Sequence, residues 1–210
     1  MEKPIKYTSP FGKAIYPHLN SPDVKFKAEG EYHLKLELGD KDAKEVLKII
    51  NETQNKALEN EKQNGKKKDL TKSQHISYTY QKEKKEDKVG KHIFSFKMKA
   101  KGFTKKGEAF TQKPALFDNE LKPLDPDLQI WGGSNLRVSY TPYGWYKQQL
   151  GGAGVTLRLK SVQVKDLVQG SSSNGGGHGF TKTDGNSSEK NVSTDETEEE
   201  VAEATNSGDF

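Results

Sequence analysis

The chain is expected to be mainly β, a small closed barrel capped by one α-helix and followed by an acidic tail without fixed structure. Three observations predict this. Apolar and polar residues alternate over several short runs, one longer stretch repeats its apolar residues at helical period, and charge divides sharply near Gly170.

The first alternating run is Glu31 to Leu38, with Tyr32, Leu34, Leu36 and Leu38 on one face and His33, Lys35 and Glu37 on the other. From Asp40, which reads as a helix N-cap, to Gly65 the period changes. Ala43, Val46, Leu47, Ile50, Ala57 and Leu58 then form one stripe of an amphipathic helix placed to cap the barrel's open end. The runs Lys66 to Lys72 and Lys82 to Lys88 are charged and turn-like. Lys91 to Lys99 alternates again, His92, Phe94, Phe96 and Met98 against Ile93, Ser95, Lys97 and Lys99. Trp131 is assigned to the core, and Gly132-Gly133 to a turn or bulge. Leu136, Val138 and Tyr140 alternate with Arg137 and Ser139. After Gly151-Gly152, Val155, Leu157 and Leu159 alternate with Thr156, Arg158 and Lys160, and Val162 and Val164 extend the run. Several short strands and one helix in this length fit an OB-fold, a five-stranded antiparallel barrel; pattern alone leaves a β-sandwich open.

Composition bounds the rest. Only 30% of the 210 residues are hydrophobic and 30% are charged, with a mean hydropathy of −0.96, so a core forms only where the apolar residues concentrate. The chain carries 32 basic against 21 acidic residues up to Gly170, and 2 against 9 beyond it. Residues 1–170 therefore read as a basic domain, and 171–210 as a Ser, Gly and Asn-rich linker leading into an acidic tail. The tail's last acids are Asp195, Glu196, Glu198, Glu199, Glu200, Glu203 and Asp209, and the sequence ends on Phe210. An aromatic residue on a solvated acidic segment reads as a docking handle. Cysteine is absent, which excludes disulfides and thiolate metal sites. Neither a membrane-spanning apolar run nor a signal-peptide core is visible, so a soluble, intracellular protein is expected.

Catalytic signals are weak. His18, His33, His75, His92 and His178 have no ligand spacing, so neither metal nor cofactor is expected. Gly175 to Thr183 only superficially evokes a phosphate loop. Asp118, Glu120, Asp125 and Asp127 leave a metal-dependent nuclease as one alternative, although Asp125-Pro126-Asp127 reads first as a turn. The binding signal is stronger. In Tyr140 to Lys147 four aromatic residues stand among Pro142 and Gly144, and turn residues there would lift Tyr143, Trp145 and Tyr146 off the sheet beside Lys147. Lys97, Lys99, Lys101, Lys105, Lys106, Arg137, Arg158 and Lys160 supply cations. Exposed rings beside cations suit unpaired bases, which stack, and phosphates, which are neutralised. A single-stranded nucleic acid is favoured over a duplex, because the one helix carries Glu45, Glu52, Glu59 and Glu61 and would read a major groove poorly. An RNA-binding module of the same type is the other alternative.

The succession Tyr7 to Gly12 (YTSPFG), Gly30 to Leu38, Phe94 to Ala100, Gly132 to Trp145 (GGSNLRVSYTPYGW), Gly152 to Val162 and an acidic tail ending Asp-Phe resembles the single-stranded DNA-binding proteins of T7-like bacteriophages. The resemblance spans nearly the whole chain. It implies an OB-fold without enzymatic activity that coats single strands, promotes annealing, dimerises, and serves replication, recombination and repair in the cytoplasm of the infected bacterial host. It further implies that Phe210 and the tail contact the phage DNA polymerase and primase-helicase and compete with DNA for the basic groove. Tyr143 and Trp145 match the family's aromatic binding loop and Lys97 a basic residue of its cleft. Lys99 stands where the family has an aromatic residue.

Overall fold

The alternating runs fold as strands. The computed structural model describes residues 4–25, 27–65, 70–81, 90–104, 106–125 and 127–168. Along them lie β1 (Tyr7–Thr8), β2 (Gly12–Asp23), β3 (Glu31–Leu38), α1 (Asp40–Gln63), β4 (Tyr78–Gln81), β5 (Lys91–Lys99), β6 (Lys101–Phe103), β7 (Ala109–Thr111), β8 (Ala115–Phe117), β9 (Asn135–Lys147) and β10 (Gly152–Asp166). Five of these strands close a ring: β2 pairs with β3, β3 with β5, β5 with β10, β10 with β9, and β9 with β2. Four seams are antiparallel and the β5–β10 seam is parallel. An odd number of strands cannot close with every neighbour antiparallel, so one parallel seam is a geometric necessity of the expected five-stranded OB barrel. That seam is short, with only Leu157↔Phe96 and Arg158↔Lys97 as partners.

The inward faces are those the alternation predicts. Tyr32, Leu34, Leu36 and Leu38 of β3, Phe94, Phe96 and Met98 of β5, Leu136, Val138 and Tyr140 of β9, and Val155, Leu157, Leu159, Val162 and Val164 of β10 form one buried cluster. Each large apolar side chain withdrawn from water there stabilises the fold by about 1.5–3 kcal/mol. Two residues differ from expectation. Ile93, expected on the outer face, is also buried, where it pairs with Thr79 of β4. Trp131, assigned to the core, is exposed, because Ile130 takes the inward position and the chain then turns through Gly132 and Gly133 into β9.

The helix lies on β9 and β10 and buries Ala43, Val46, Ile50 and Gln54, spaced to share one face. Its N-cap is Gly39, not Asp40; the Asp40 carboxylate instead meets His92 Nε2 at 3.0 Å. Acidic Asp40 and Asp42 in the first turn complement the helix dipole. Gln54 enters the buried face because its amide donates to the Ser73 and Ala153 carbonyls at 2.9 and 2.8 Å, which satisfies it away from water. Where α1 crosses β9, Gly144 is required: a Cβ there would lie 2.9 Å from both Ala57 Cβ and the Thr53 carbonyl. No helix among the described residues is long and apolar enough to cross a membrane. The lysine run at 82–88, most of that at 66–72, Lys105, and the linker and tail at 171–210 lie outside the described residues.

Candidate nucleic-acid interface

Pro142 and Gly144 do not break the chain into a turn. β9 runs unbroken to Lys147 in register with β10, with Tyr143 opposite Thr156, Trp145 opposite Gly154 and Tyr146 opposite Ala153. Residues 143, 145 and 147 therefore share the outer face by alternation, while Gly144 faces the helix. The aromatic segment presents its rings from a strand and not from a loop. Tyr143 is 45% exposed, and the Arg158 guanidinium lies 3.6 Å from its ring centroid. Trp145 is half-buried. Its indole N–H donates to Thr156 Oγ1 at 3.0 Å, and its ring packs over Gly154, where a Cβ would lie 2.3 Å from the ring. The Lys147 ammonium sits 5.9 Å from the Trp145 ring centroid. Tyr146 falls on the other face of β9 and leaves this group.

The short parallel seam explains why the surface is concave. Beyond their two partner pairs β5 and β10 separate, and residues 70–77 run beside the opening. These are tied down by Ala153 N–H to the Thr71 carbonyl (2.9 Å), Ser73 N–H to the Ala153 carbonyl (2.7 Å) and Val155 N–H to the His75 carbonyl (3.1 Å). One hollow of about 360 Å³ is lined by His75, Ser77, Tyr78, Ser95, Lys97, Trp145 and Thr156 among others. A second, about 310 Å³, is lined by residues including Asp23, Lys27, Glu31, His33, Lys35, Ser95 and Lys97. Ser95 and Lys97 line both, so the two hollows adjoin at β5 and together make up the cleft.

Charge in the cleft is partly compensated. Glu31 binds Lys27 at 2.6 Å and Lys97 at 3.3 Å. Burial opposes its ionisation, but the hydrogen bond from Lys27 and the charge of Lys97 outweigh that and hold its carboxyl below the ordinary glutamate range. Asp23 is likewise held low, first by the Lys25 backbone N–H and then by His33.

The structure sorts the candidate residues. Lys97, Arg158, Tyr143 and Trp145 come together on adjacent strands, with Arg158 directly between Lys97 and Thr141 in the ladder. Lys99 is exposed two residues further along β5, opposite Glu31, and Lys101 begins the β6–β7 hairpin. Arg137 is not brought to the cleft. It lies six residues from Tyr143, about 20 Å along the strand, and its Nε donates to Gln163 while its guanidinium covers Phe11 at 4.9 Å. The sequence reading overlooked His33, Lys35 and Ser95, although each stands on the polar face of an alternating strand, and also residues 74–77, which carry no periodic signal. Among the described residues Asp118, Glu120, Asp125 and Asp127 do not converge as a metal-holding group. Asp118 Oδ1 accepts the Glu120 and Lys122 N–H groups at 2.8 Å, Asp125 accepts that of Asp127 at 2.9 Å, and Glu120 pairs with Lys122. These carboxylates shape turns and pair locally. Three other ligating groups do converge: donor atoms of His18, Asp23 and His33 all lie within 4.8 Å of one another. Spacing along the chain could not reveal this, because the two histidines meet across strands.

A family model described as single-stranded DNA-binding protein, bacteriophage T7, matches residues 10–167. The chain belongs to that family. No curated protein matches the sequence. Among solved structures it is similar to gp2.5, a single-stranded DNA-binding protein encoded by bacteriophage T7, with 22% identity and a TM-score of 0.62 over 89% of this chain and 100% of that one. The single-stranded DNA-binding protein of bacteriophage Enc34 is 17% identical with a TM-score of 0.54, over 80% of this chain and 85% of that one. The Enc34 protein in complex with single-stranded DNA matches at the same identity and TM-score, over 78% and 88%. The family match takes in β2 through β10, and hence every residue of the cleft described above.

Proposed function

We propose that this member of the phage single-stranded DNA-binding family binds unpaired DNA along the cleft without catalysing a reaction. The observation that carries the reading is the Arg158 guanidinium seated on the exposed Tyr143 ring, with Trp145 on one side and Lys97 on the next strand. Tyr143 and Trp145 stack bases; Lys97, Lys99, Arg158 and Lys147 neutralise phosphates. Lys101 extends the basic track beyond β5, while Arg137 beside Phe11 serves a strand that continues along the barrel. Tyr146, on the opposite face, supports the fold and not the stack. The Enc34 protein, which shares the fold, was solved with single-stranded DNA, and this supports the same ligand here.

Around this activity we place the family's wider roles: coating and annealing of strands in replication, recombination and repair, as a homodimer in the host cytoplasm. In this reading residues 1–170 are the binding domain. Residues 171–210 are a linker and a tail whose acids and Phe210 meet the phage polymerase and primase-helicase and compete with DNA for the cleft. The chemistry behind that competition is plain: nine acids against two bases mimic a polyanion.

Titrating the Trp131→Phe chain with oligo(dT) isolates Trp145 fluorescence. Saturable quenching by oligo(dT), much weaker for duplex, is expected, with a log–log salt slope near −0.7 for each phosphate neutralised. The same chain ending at Thr194 is expected to bind more tightly. Salt-independent binding would count against the cleft, and weaker binding on truncation against the tail. Equal-length RNA in competition tests the RNA alternative, since only RNA carries the 2′-hydroxyl.

Glu31 offers a test of the opposite sign. Glu31→Gln releases Lys27 and Lys97 from their shared carboxylate, so oligo(dT) affinity is expected to rise and the salt slope to steepen by about 0.7 for each lysine that gains a phosphate. Unchanged affinity and slope would place both lysines off the DNA path.

A further inference from the structure

The barrel wall at β2 and β3 holds a grouping to which the proposed DNA contacts give no part, His18 with Asp23 and His33. β2 begins in register with β3, Lys13 opposite Glu37 and Ile15 opposite Lys35, and continuing that register would set Pro17 against His33. It does not continue. Tyr16 adopts φ +47°, in the left-handed region, and the strand takes up one extra residue, so that His18 faces His33 instead. Such a bulge turns a side chain to the opposite face, and here it lays two imidazoles together with ring centroids 4.7 Å apart. A second irregularity between His18 and Asp23 returns the strand so that Asp23 Oδ2 stands 3.3 Å from His33 Nε2.

We propose that His18, Asp23 and His33 form a binding site for a divalent transition metal of the zinc class. Two imidazole nitrogens and one carboxylate oxygen are ligands that Zn²⁺ accepts at about 2.0–2.2 Å, which places neighbouring donors about 3.3–3.6 Å apart in a tetrahedron. The Asp23–His33 separation already has that value, and the third donor lies within 4.8 Å of both. The carboxylate is also aimed. Asp23 Oδ1 is occupied by the Lys25 backbone N–H at 2.8 Å, which leaves Oδ2 turned toward the imidazole, as an outer hydrogen bond orients a metal ligand. Three protein ligands leave a fourth position for water or an anion. Asp23 and His33 line the hollow that also contains Lys27, Lys35 and Lys97, so that position borders the cleft. A simple Asp–His hydrogen bond would not require His18, whereas the bulge brings His18 to the pair.

The test uses the full chain stripped with chelator and titrated with ZnCl₂ by calorimetry. Saturable uptake is expected, weakened about tenfold or more in His18→Ala and in His33→Ala, and retained in His178→Ala. No saturable uptake, or uptake as tight in His18→Ala as in the unsubstituted chain, would overturn the site. Because either alanine variant could lose the β2–β3 pairing, Co²⁺ added to the unsubstituted chain gives a second reading. Visible d–d absorption that Zn²⁺ then bleaches is expected, and its absence counts against the site independently of any variant. Oligo(dT) plays no part in either measurement, so DNA binding and metal binding stand or fall separately.

Discussion

Tyr143→Ala is expected to weaken oligo(dT) binding by roughly 1–3 kcal/mol, about 5- to 150-fold, the range of one lost base–aromatic stack. The ring is exposed, on the outer face of β9, and it carries the Arg158 guanidinium at 3.6 Å. Removing it takes away a stacking surface and also the seat that orients a cation toward phosphate. Tyr143→Phe keeps the ring and should bind nearly as well as tyrosine. Because the side chain adds little to the core, stability should move by no more than about 0.5 kcal/mol. Anisotropy of a labelled oligo(dT) reads the affinity without depending on tryptophan. A loss below about twofold would mean that bases stack elsewhere.

Phe96→Ala is expected to destabilise the domain by about 3–5 kcal/mol in urea or thermal unfolding. Phe96 is fully buried, meets the Tyr140 ring edge-on at 5.2 Å, and pairs with Leu34 on one side and Leu157 on the other. It occupies the short parallel seam that closes the ring, so the cavity left behind opens where few backbone pairs hold the strands. A typical domain has only about 5–15 kcal/mol to lose, so the effect is a large share of the total. Phe96→Leu, which keeps most of the volume, should cost clearly less than the alanine variant. Equal losses in the two would show that the site collapses without a cavity.

Much of the barrel was legible because alternation is a local property. Whichever strands β3, β5, β9 and β10 pair with, Leu34, Phe94, Val138 and Leu157 must point the same way as their neighbours two residues off. The helix was legible for the same reason, apart from Gln54 on its buried face and the cap, which is Gly39 and not Asp40. Pro142 and Gly144 misled because both residues commonly mark turns. In the barrel Pro142 sits within the ladder opposite Leu157, and Gly144 meets a demand only the helix creates, a backbone approach too close for a Cβ. Tyr143 was therefore correctly expected to be exposed, but alternation on a strand, not a turn, exposes it. Trp131 went the other way: a large ring suggests a core, yet its neighbour Ile130 filled the place.

By itself the sequence determined a basic β-rich domain, the inward residues of its main strands, one amphipathic helix, an acidic terminal segment, and a supply of rings and cations suited to unpaired nucleic acid. Only the tertiary structure decided which of these share a surface. It put Lys97 beside Arg158, carried Arg137 away to Phe11, gave Lys97 to Glu31, and set His18 against His33 and Asp23. The reason is that side-chain direction along a strand repeats every two residues and can be read locally. Which strands become neighbours, and where a bulge shifts their register, depends on closing the whole ring around one core.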